Sequence, residues 1–563
     1  MGYIAHMRTI IIGGVAAGMS AATRLRRLDE QREIIVFERG EYVSFANCGL
    51  PYYIGGVVPE RSALLLQTPG TLRARFDLDV RVLHEVTSID PIAHTVTVTS
   101  LRTGDVYVKH YDELVLAAGA ESSPGLDLGD VPTRDLRTIP DVDAIMAALG
   151  QLETPSDLHA VVVGAGFIGL EAAENLRRRG AHVTLIQRSA QIFAPLDSEM
   201  TAPILRELRD AGIGVRTRTT VAKGARGHVE LSDGSMIRAD LVVTAGGVRP
   251  ATSLARGAGL RLGPTGGIEV DAHQRTSDPS VWAVGDGVEK IDHVSGEATL
   301  VTMAGLANRH GRAAADDIAA HRAHPAAPAL GTAIIGVFGA TAASIGWNER
   351  RLRASGRAHR VIHSHPMSHA GYYPGAQQMS MKLLVDPTSD KILGAQIVGR
   401  DGVDKRMDVI SVAMSAGITA SGLSRLELSY APPYGSAKDP INLLGYIAEN
   451  HATGTAVSVQ WHELSEALAA GAHLVDVRSH DEYAAGAIPG AVNIPLDELR
   501  ARHTELPDRP IIVHCQVGQR GHTAARLLSQ LGHEVRNLDG GWLTWSHGTE
   551  SAPEADTTPR RAS

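Results

Sequence analysis

Along the first half of the chain, apolar residues fall in short unbroken runs that end on glycine. RTIII runs into Gly13 and Gly14, the segment AAGMSAATRLRRL follows with helical spacing, and a second run, EIIVFE, comes next. The same order recurs in HAVVVGAGFIGLEAAENLRRRG followed by HVTLIQRS. An apolar run of four to six residues predicts a strand buried on both faces, and the 3.6-residue period after it predicts a helix. Each segment therefore reads as strand, glycine-rich turn, helix, strand, which is one parallel βαβ unit, and the internal spacing of the two units matches.

Two more apolar strands, DELVLAAGA (112–120) and ADLVVTAGG (239–247), end on small residues. Ala118, Gly119 and Gly246 there leave room for a ligand against the main chain. SVWAVGDG (280–287) is another strand, with an abrupt end at Gly285-Asp286-Gly287. HRAHPAAPAL breaks the pattern near residue 325; TAIIGVFG, RVIHSH, MSMKLLVD and KILGAQIVG then predict an α+β domain. HATGTAVS reads as a linker, and strands near HLVDVR and PIIVHC open a last α/β domain. The polar tail SAPEADTTPRRAS is expected to be disordered.

At 563 residues the chain has room for three or four domains. Aromatic residues make up 4%, so Ala, Val, Leu and Ile must build the cores. A net charge of −8 argues against a general nucleic-acid binder. The opening MGYIAHMRTIIIGG has no charged region followed by a long apolar one, and no run is long enough to span a bilayer. Two cysteines, Cys48 and Cys515, rule out a disulfide framework and suit a reducing compartment, so the cytoplasm is expected. No metal-ligand spacing stands out.

The glycine turns carry a specific chemistry. Gly13, Gly14, Ala17 and Gly18 place main chain where a pyrophosphate would approach a helix N-terminus, although Val15 stands where many such loops have glycine. Glu38, 20 residues past Gly18 and followed by Arg39, is placed to accept from ribose hydroxyls. Gly164, Gly166, Phe167, Ile168 and Gly169 fit the fingerprint fully. Its second strand ends in Gln187-Arg188, an amide and a cation that suit a 2′-phosphate, so NADPH or mixed use is expected over strict NADH. Two dinucleotide modules suggest a flavin and a nicotinamide.

Cys48 stands in SFANCGLPYYIGG. Pro51 fits the first turn of a helix, and a thiol at a helix N-terminus is expected to have a lowered pKa. Cys515 ends the strand PIIVHC and opens CQVGQR. A Cys-x4-Arg loop between strand and helix converges backbone N–H groups on the sulfur, with Arg520 nearby, and such a cradle stabilises a thiolate or persulfide.

GGVAAG, FERG, FANCGLPYYIGG, GAGFIGLE and WAVGDG together resemble the pyridine nucleotide-disulfide oxidoreductases over about residues 7 to 450. The resemblance implies FAD, with Asp286 on the ribityl chain and Ala304 beside the isoalloxazine. Most of that family carry a Cys-x4-Cys pair; Cys48 has no such partner and must work by a mixed disulfide, persulfide or sulfenate. The motif resembles the single-cysteine branch of coenzyme A disulfide reductases and related NADH oxidases. The oxidases are expected to have a histidine in the first glycine loop, and none lies between Gly13 and Gly18. HAGYYPGA and APPYGSAKDPIN resemble the dimerisation segments whose tyrosines, here Tyr373 (or Tyr372) and Tyr434, would reach Cys48 of the other copy in a homodimer. Coenzyme A needs cations; among Arg24, Arg26, Arg27, Arg61, Arg75 and Arg309 the resemblance favours Arg27, Arg75 and Arg309, with Ser44, Asn47 and Gln67.

Residues 455–548 resemble a rhodanese domain, with Asp476 and Glu482 family-like and Ala487 where a histidine is usual. The Cys-x4-Arg loop is one residue shorter than that of cysteine phosphatases, which favours sulfur transfer. The implied domains are FAD-binding (7–120 and 250–328), NAD(P)H-binding (121–249), dimerisation (329–450) and rhodanese (455–548), then a disordered tail (549–563). The expected function is reduction of coenzyme A disulfide, persulfide or polysulfide by NAD(P)H, with Cys515 relaying sulfane sulfur and hydrogen sulfide released. The alternatives are a coenzyme A disulfide reductase for thiol homeostasis, a water-forming NADH oxidase, or a non-catalytic flavin-binding redox sensor.

Overall fold

The computed structural model describes residues 7–551 apart from residue 124, residues 151–156 and residues 322–323. The chain divides into two compact units, residues 1–186 with 219–331, and residues 187–218 with 332–563.

In the first unit the two apolar-run segments form two parallel sheets. One has the spatial order Val281–Ala283, Glu113–Leu116, Arg8–Ile12, Glu33–Glu38, Asp79–Val82. The other contains His182–Ile186, His159–Val163, Leu241–Thr244 and Thr133–Asp135 as neighbours. Ile10, Ile11, Val161 and Val162 are buried, which is why these strands lack polar alternation. Helix Ala16–Leu28 crosses helix Ala304–Ile318 at Gly311, where a Cβ would stand 2.2 Å from the Ala17 carbonyl oxygen. This unit also carries two three-stranded antiparallel sheets, His84–Asp90, Thr95–Ser100, Val106–His110 and Val221–Ala225, His228–Leu231, Met236–Arg238, besides two short antiparallel pairs, Ala120–Ser122 with Val248–Pro250 and Lys290–Ile291 with Ala298–Thr299.

The second unit holds a five-stranded antiparallel sheet in the order Ala333–Val337, Ala340–Gly346, Ile392–Gly399, Ser380–Val385, Arg360–Ser364. Helices Val403–Ser415 and Pro440–Ala452 accompany it. A parallel sheet follows in the order Ser458–Val459, Val535–Leu538, Ile511–His514, His473–Asp476, Val492–Asn493.

Two sequence readings are corrected here. The presumed linker from 451 begins inside helix Pro440–Ala452. The presumed tail from 549 is helical as far as Ser551, because Glu550 pairs with Arg206 (2.5 Å) and Arg209 (3.5 Å) of helix Ser198–Asp210. The rest of that tail lies outside the described residues.

Candidate functional site

The first glycine turn has no space for larger residues. Gly13 has φ 105°, and a Cβ on it would lie 2.2 Å from the Ala117 carbonyl oxygen; one on Gly18 would lie 1.9 Å from that of Gly13. Helices Ala16–Leu28 and Ala304–Ile318 both start without a side-chain cap, so their first N–H groups remain available to an anion. Gly119 has φ 71° and meets the Gly285–Gly287 turn, since a Cβ on Gly287 would stand 2.9 Å from its oxygen; Ala17 and Gly285 are neighbours as well. Ala118, Ala304 and Arg39 are exposed. Glu38 is used on the loop itself, accepting from the Gly14 and Gly40 N–H groups at 2.8 Å each, and each oxygen keeps a further lone pair.

Asp286 is half-buried, and burial pushes its pKa up while Lys290 and Arg137 oppose that. Lys290 belongs to no motif of the chain. It is buried, donates to the Gly285 and Val288 carbonyls at 2.7 and 2.8 Å, and is pushed down to about 8 by burial, with Asp286 opposing. His310 is buried beside it with Nδ1 unpartnered among the described residues. Burial first, then Lys290 and Arg309, push it to about 4.

Cys48 lies in the turn Asn47–Gly49, ahead of helix Leu50–Ile54 with Pro51 in its first turn. That helix docks on the second glycine module. A Cβ on Gly55 would stand 2.0 Å from Asn175 Oδ1, and Arg179 Nε donates to the Ile54 carbonyl at 2.6 Å. The docking places the Tyr52 hydroxyl 2.9 Å from Glu171 Oε1, as donor, on helix Phe167–Arg178. Cys48 is exposed, and its thiol donates to Asn47 Oδ1 at 3.6 Å.

The expected thiolate bias at Cys48 is corrected. Burial against the surrounding protein raises the thiol pKa, and the carboxylates of Glu171 and Asp286 raise it further, against a backbone hydrogen bond. A five-residue helix contributes little dipole, and two carboxylates outweigh it. Burial also raises Glu171, against the Tyr52 hydrogen bond, and raises Tyr52, with Glu171 adding to it. Cys48, Glu171 and Tyr52 are thus all shifted toward their neutral forms.

The structure sorts the arginines. Arg24 pairs with Asp316 at 2.6 Å, Arg26 is spent on four carbonyls, and Arg61 is bidentate on Asp143 at 2.7 Å. Arg27, Arg75 and Arg309 are exposed and form no salt bridge among the described residues. Ser44, at φ 47°, donates its N–H to the Gly14 oxygen at 2.8 Å, and Gln67 Oε1 accepts from Thr71 Oγ1 at 3.0 Å.

In the second module a Cβ on Gly169 would stand 1.7 Å from the Gly164 oxygen, whereas Gly166 faces open space. Gly166 caps helix Phe167–Arg178 without a side chain; Ile168 and Gly246 are exposed, and Phe167 is part-buried. Gln187 and Arg188 fall in the second unit; Arg188 is exposed, and Gln187 bonds Ser189.

Also in the second unit, Cys515 follows strand Ile511–His514 and precedes helix Gln519–Gln530, with Gly518 at φ 85° completing the loop. Cys515 is 0% exposed. Arg520 is bidentate on Glu482 at 2.7 Å, which holds that carboxyl down at about 2. Three neighbours were not legible beforehand. Arg478 pairs with buried Asp476 and lies 4.8 Å over the Trp542 ring. His514 makes no side-chain hydrogen bond among the described residues, its Nε2 lying 3.6 Å from Asp476 Oδ2, and it is pushed to about 4 by burial, with Asp476 opposing. On the same unit Tyr372 and Tyr434 are 76% and 72% exposed, Tyr372 sharing a 3.2 Å hydroxyl contact with Tyr430, while Tyr373 stands edge-on to His369 at 5.7 Å.

Residues 7–303 match the family model described as pyridine nucleotide-disulphide oxidoreductase, residues 332–439 match that family's dimerisation domain, and residues 460–547 match the rhodanese-like domain. A coenzyme A disulfide reductase of Staphylococcus aureus strain JH9 is 34% identical over 443 residues, covering 78% of this chain and 100% of the relative. The crystal structure of reduced Bacillus anthracis CoADR-RHD is 44% identical with TM-score 0.93, covering 97% of this chain and 98% of that one. The structure of an NAD-dependent persulfide reductase from A. fulgidus is 36% identical with TM-score 0.89, covering 96% and 100%.

Proposed function

The chain belongs to the pyridine nucleotide-disulphide oxidoreductase family, and from that premise we propose that it reduces coenzyme A disulfide or persulfide with NAD(P)H through Cys48, while Cys515 relays sulfane sulfur and hydrogen sulfide is released. The observation that carries the reading is one accessible cysteine held against both glycine modules, with no second thiol near it among the described residues. Its relatives' names, coenzyme A disulfide reductase and persulfide reductase, support the substrate class.

The residues present fit FAD. Gly13, Gly14, Ala17 and Gly18 would take the pyrophosphate, Glu38 and Arg39 the ribose, and Asn47, Ala118, Gly119, Gly285, Asp286 and Ala304 the flavin half. Bound there, FAD supplies hydride acceptance from the nicotinamide and delivery of an electron pair to sulfur. Gly164, Gly166, Phe167, Ile168, Gly169, Gln187, Arg188 and Gly246 would hold the nicotinamide dinucleotide.

The Cys48 thiolate attacks a coenzyme A disulfide; the S–S bond breaks, one coenzyme A leaves as thiolate, and a Cys48–coenzyme A mixed disulfide forms. With a persulfide the leaving group is hydrosulfide. Two electrons then free the second coenzyme A and restore the thiolate. Arg27, Arg75 and Arg309 would hold the phosphates, with Ser44, Asn47 and Gln67 around the arm. At the other site the Cys515 thiolate takes one sulfur from a donor, becomes a persulfide beside Arg520, and passes that sulfur to a thiol. The family's dimerisation domain supports a homodimer in which Tyr373 and Tyr434 reach the partner's active site. The proposed domain limits are 7–120 with 250–328 for FAD, 121–249 for NAD(P)H, 329–450 for dimerisation, whose last helix runs on to Ala452, and 455–548 for rhodanese, whose last helix runs on to Ser551. Among the described residues no helix is long and apolar enough to cross a membrane, and the cytoplasm remains the proposed location.

Steady-state NAD(P)H oxidation with coenzyme A disulfide and with its persulfide, wild type against Cys48→Ser, tests the reading directly. Two finer outcomes are expected. Arg188→Gln lowers kcat/KM for NADPH about tenfold, roughly 1.4 kcal/mol, and leaves NADH within about twofold; equal losses for both nucleotides would remove the 2′-phosphate role. Tyr373→Phe and Tyr434→Phe lower kcat on coenzyme A disulfide by on the order of 10²-fold, the scale of a lost general acid. Unchanged kcat in both would leave these tyrosines as interface packing.

A further inference from the structure

The turn Asp539-Gly540-Gly541 is sandwiched between the Cys515 loop and the antiparallel sheet. On one side Trp542 N–H donates to the Cys515 oxygen at 2.8 Å, Leu543 N–H to the Gln516 oxygen at 3.0 Å, and a Cβ on Gly541 would stand 2.4 Å from the Cys515 oxygen. On the other side a Cβ on Gly540 would stand 2.9 Å from His363 Cβ. Asp539 Oδ2 accepts from the His363 backbone N–H at 2.9 Å and lies 2.8 Å from its Nδ1. His363 Nε2 lies 3.1 Å from Glu199 Oε1, so the ring bridges two carboxylates and donates from both nitrogens. Thr544 Oγ1 adds a 2.7 Å bond to His365 Nε2.

We propose that His363 is a positioning residue for sulfur transfer: as an imidazolium clamped between Glu199 and Asp539, it fixes the Asp539–Gly541 turn that backs the Cys515 cradle. The proposal rests on the reading that Cys515 carries sulfane sulfur.

The charges facing the ring come from every packed element. Glu199 belongs to helix Ser198–Asp210, which also carries Arg206; Lys382 and its partners Asp197 and Glu349 lie behind Glu199; Asp539 is across the turn; His365 and His547 flank it. His365 and His547 are pushed down by burial, so they add no cation there. Burial alone would lower His363; its bonds to Asp539 and Glu199 outweigh that and Lys382, and raise it to about 9. A raised histidine contributes fully below about 6.5 and loses its contribution as pH rises through about 9.

The test uses the full-length flavin-loaded protein with thiosulfate and cyanide. Thiosulfate's S–S bond breaks, sulfite leaves, and the sulfur passes through Cys515 to cyanide, which leaves as thiocyanate. Wild type is expected to lose rate above about pH 9. His363→Gln is expected to lower kcat about tenfold at pH 8 with little change in KM, to remove the limb near pH 9, and to leave coenzyme A disulfide reduction within about twofold. A wild-type limb retained in His363→Gln overturns the proposal. Should that variant fail to fold, ¹⁵N shifts of the histidine rings in wild type decide: two protonated nitrogens on His363 at pH 8 support the clamp, and a neutral ring overturns it. Thiocyanate formation by Cys515→Ser would instead overturn the underlying reading.

Discussion

Exchange of Cys48 for serine is expected to lower NAD(P)H oxidation with coenzyme A disulfide and persulfide by on the order of 10³-fold or more, the scale on which lost nucleophiles act. A serine oxygen cannot accept the sulfur of a disulfide, so no mixed disulfide forms and no step can substitute for it. Because Cys48 is exposed and its thiol, among the described residues, makes a single 3.6 Å side-chain hydrogen bond, to Asn47, the fold should not notice the change. Stability is expected within about 0.5 kcal/mol of wild type. Unchanged thermal unfolding with activity lost separates chemistry from structure; a rate above about a tenth of wild type on either substrate would contradict the assignment.

The largest stability effect is expected at Lys382, far from either cysteine in sequence. Its ammonium is 0% exposed and lies 2.9 Å from Asp197, 2.5 Å from Glu199 and 2.5 Å from Glu349. Lys382→Met fills similar volume but leaves three carboxylates without their central cation. Removing one member of a buried ionic group costs roughly 3–5 kcal/mol. Lys382 and His363 hold Glu199 well below the usual carboxylate range despite burial, and Lys382 holds Glu349 down in the same way. Depressed carboxylates contribute stability above their ordinary pKa and lose it as pH falls, so the gap between variant and wild type should narrow below about pH 4.5. Urea midpoints at about pH 8 and about pH 3.5 check this. A loss under about 1 kcal/mol, or one that widens in acid, would mean the cluster is solvated or already partly protonated.

The features visible in the sequence are those set by neighbours close along the chain. Apolar runs ending at Gly13 and Gly164 gave both modules, because a turn with no room for a Cβ declares itself locally. Pro51 marked its helix for the same reason. The errors concern partners distant along the chain. The Cys48 thiol was expected to favour the thiolate from a helix dipole, but burial first, and then Glu171 and Asp286, none of them visible at its own position, set the opposite direction. Arg26 and Arg75 look alike in a string of basic residues; only folding shows one bonded to four carbonyls and the other exposed. Glu550 looked like part of a polar tail until Arg206, 344 residues earlier, was found beside it. Tyr52, Lys290, His363 and His514 carried no spacing signal at all.

If the two cysteines serve one sulfur path, the decisive quantity is the hydrogen sulfide released per NAD(P)H consumed, with polysulfide as donor and catalytic coenzyme A, in Cys515→Ser against wild type. Cys515→Ser is expected to lose most of the polysulfide-dependent hydrogen sulfide while reducing coenzyme A disulfide at the wild-type rate. An unchanged hydrogen sulfide yield and rate in that variant would contradict it, leaving Cys48 to act on sulfur without the second site.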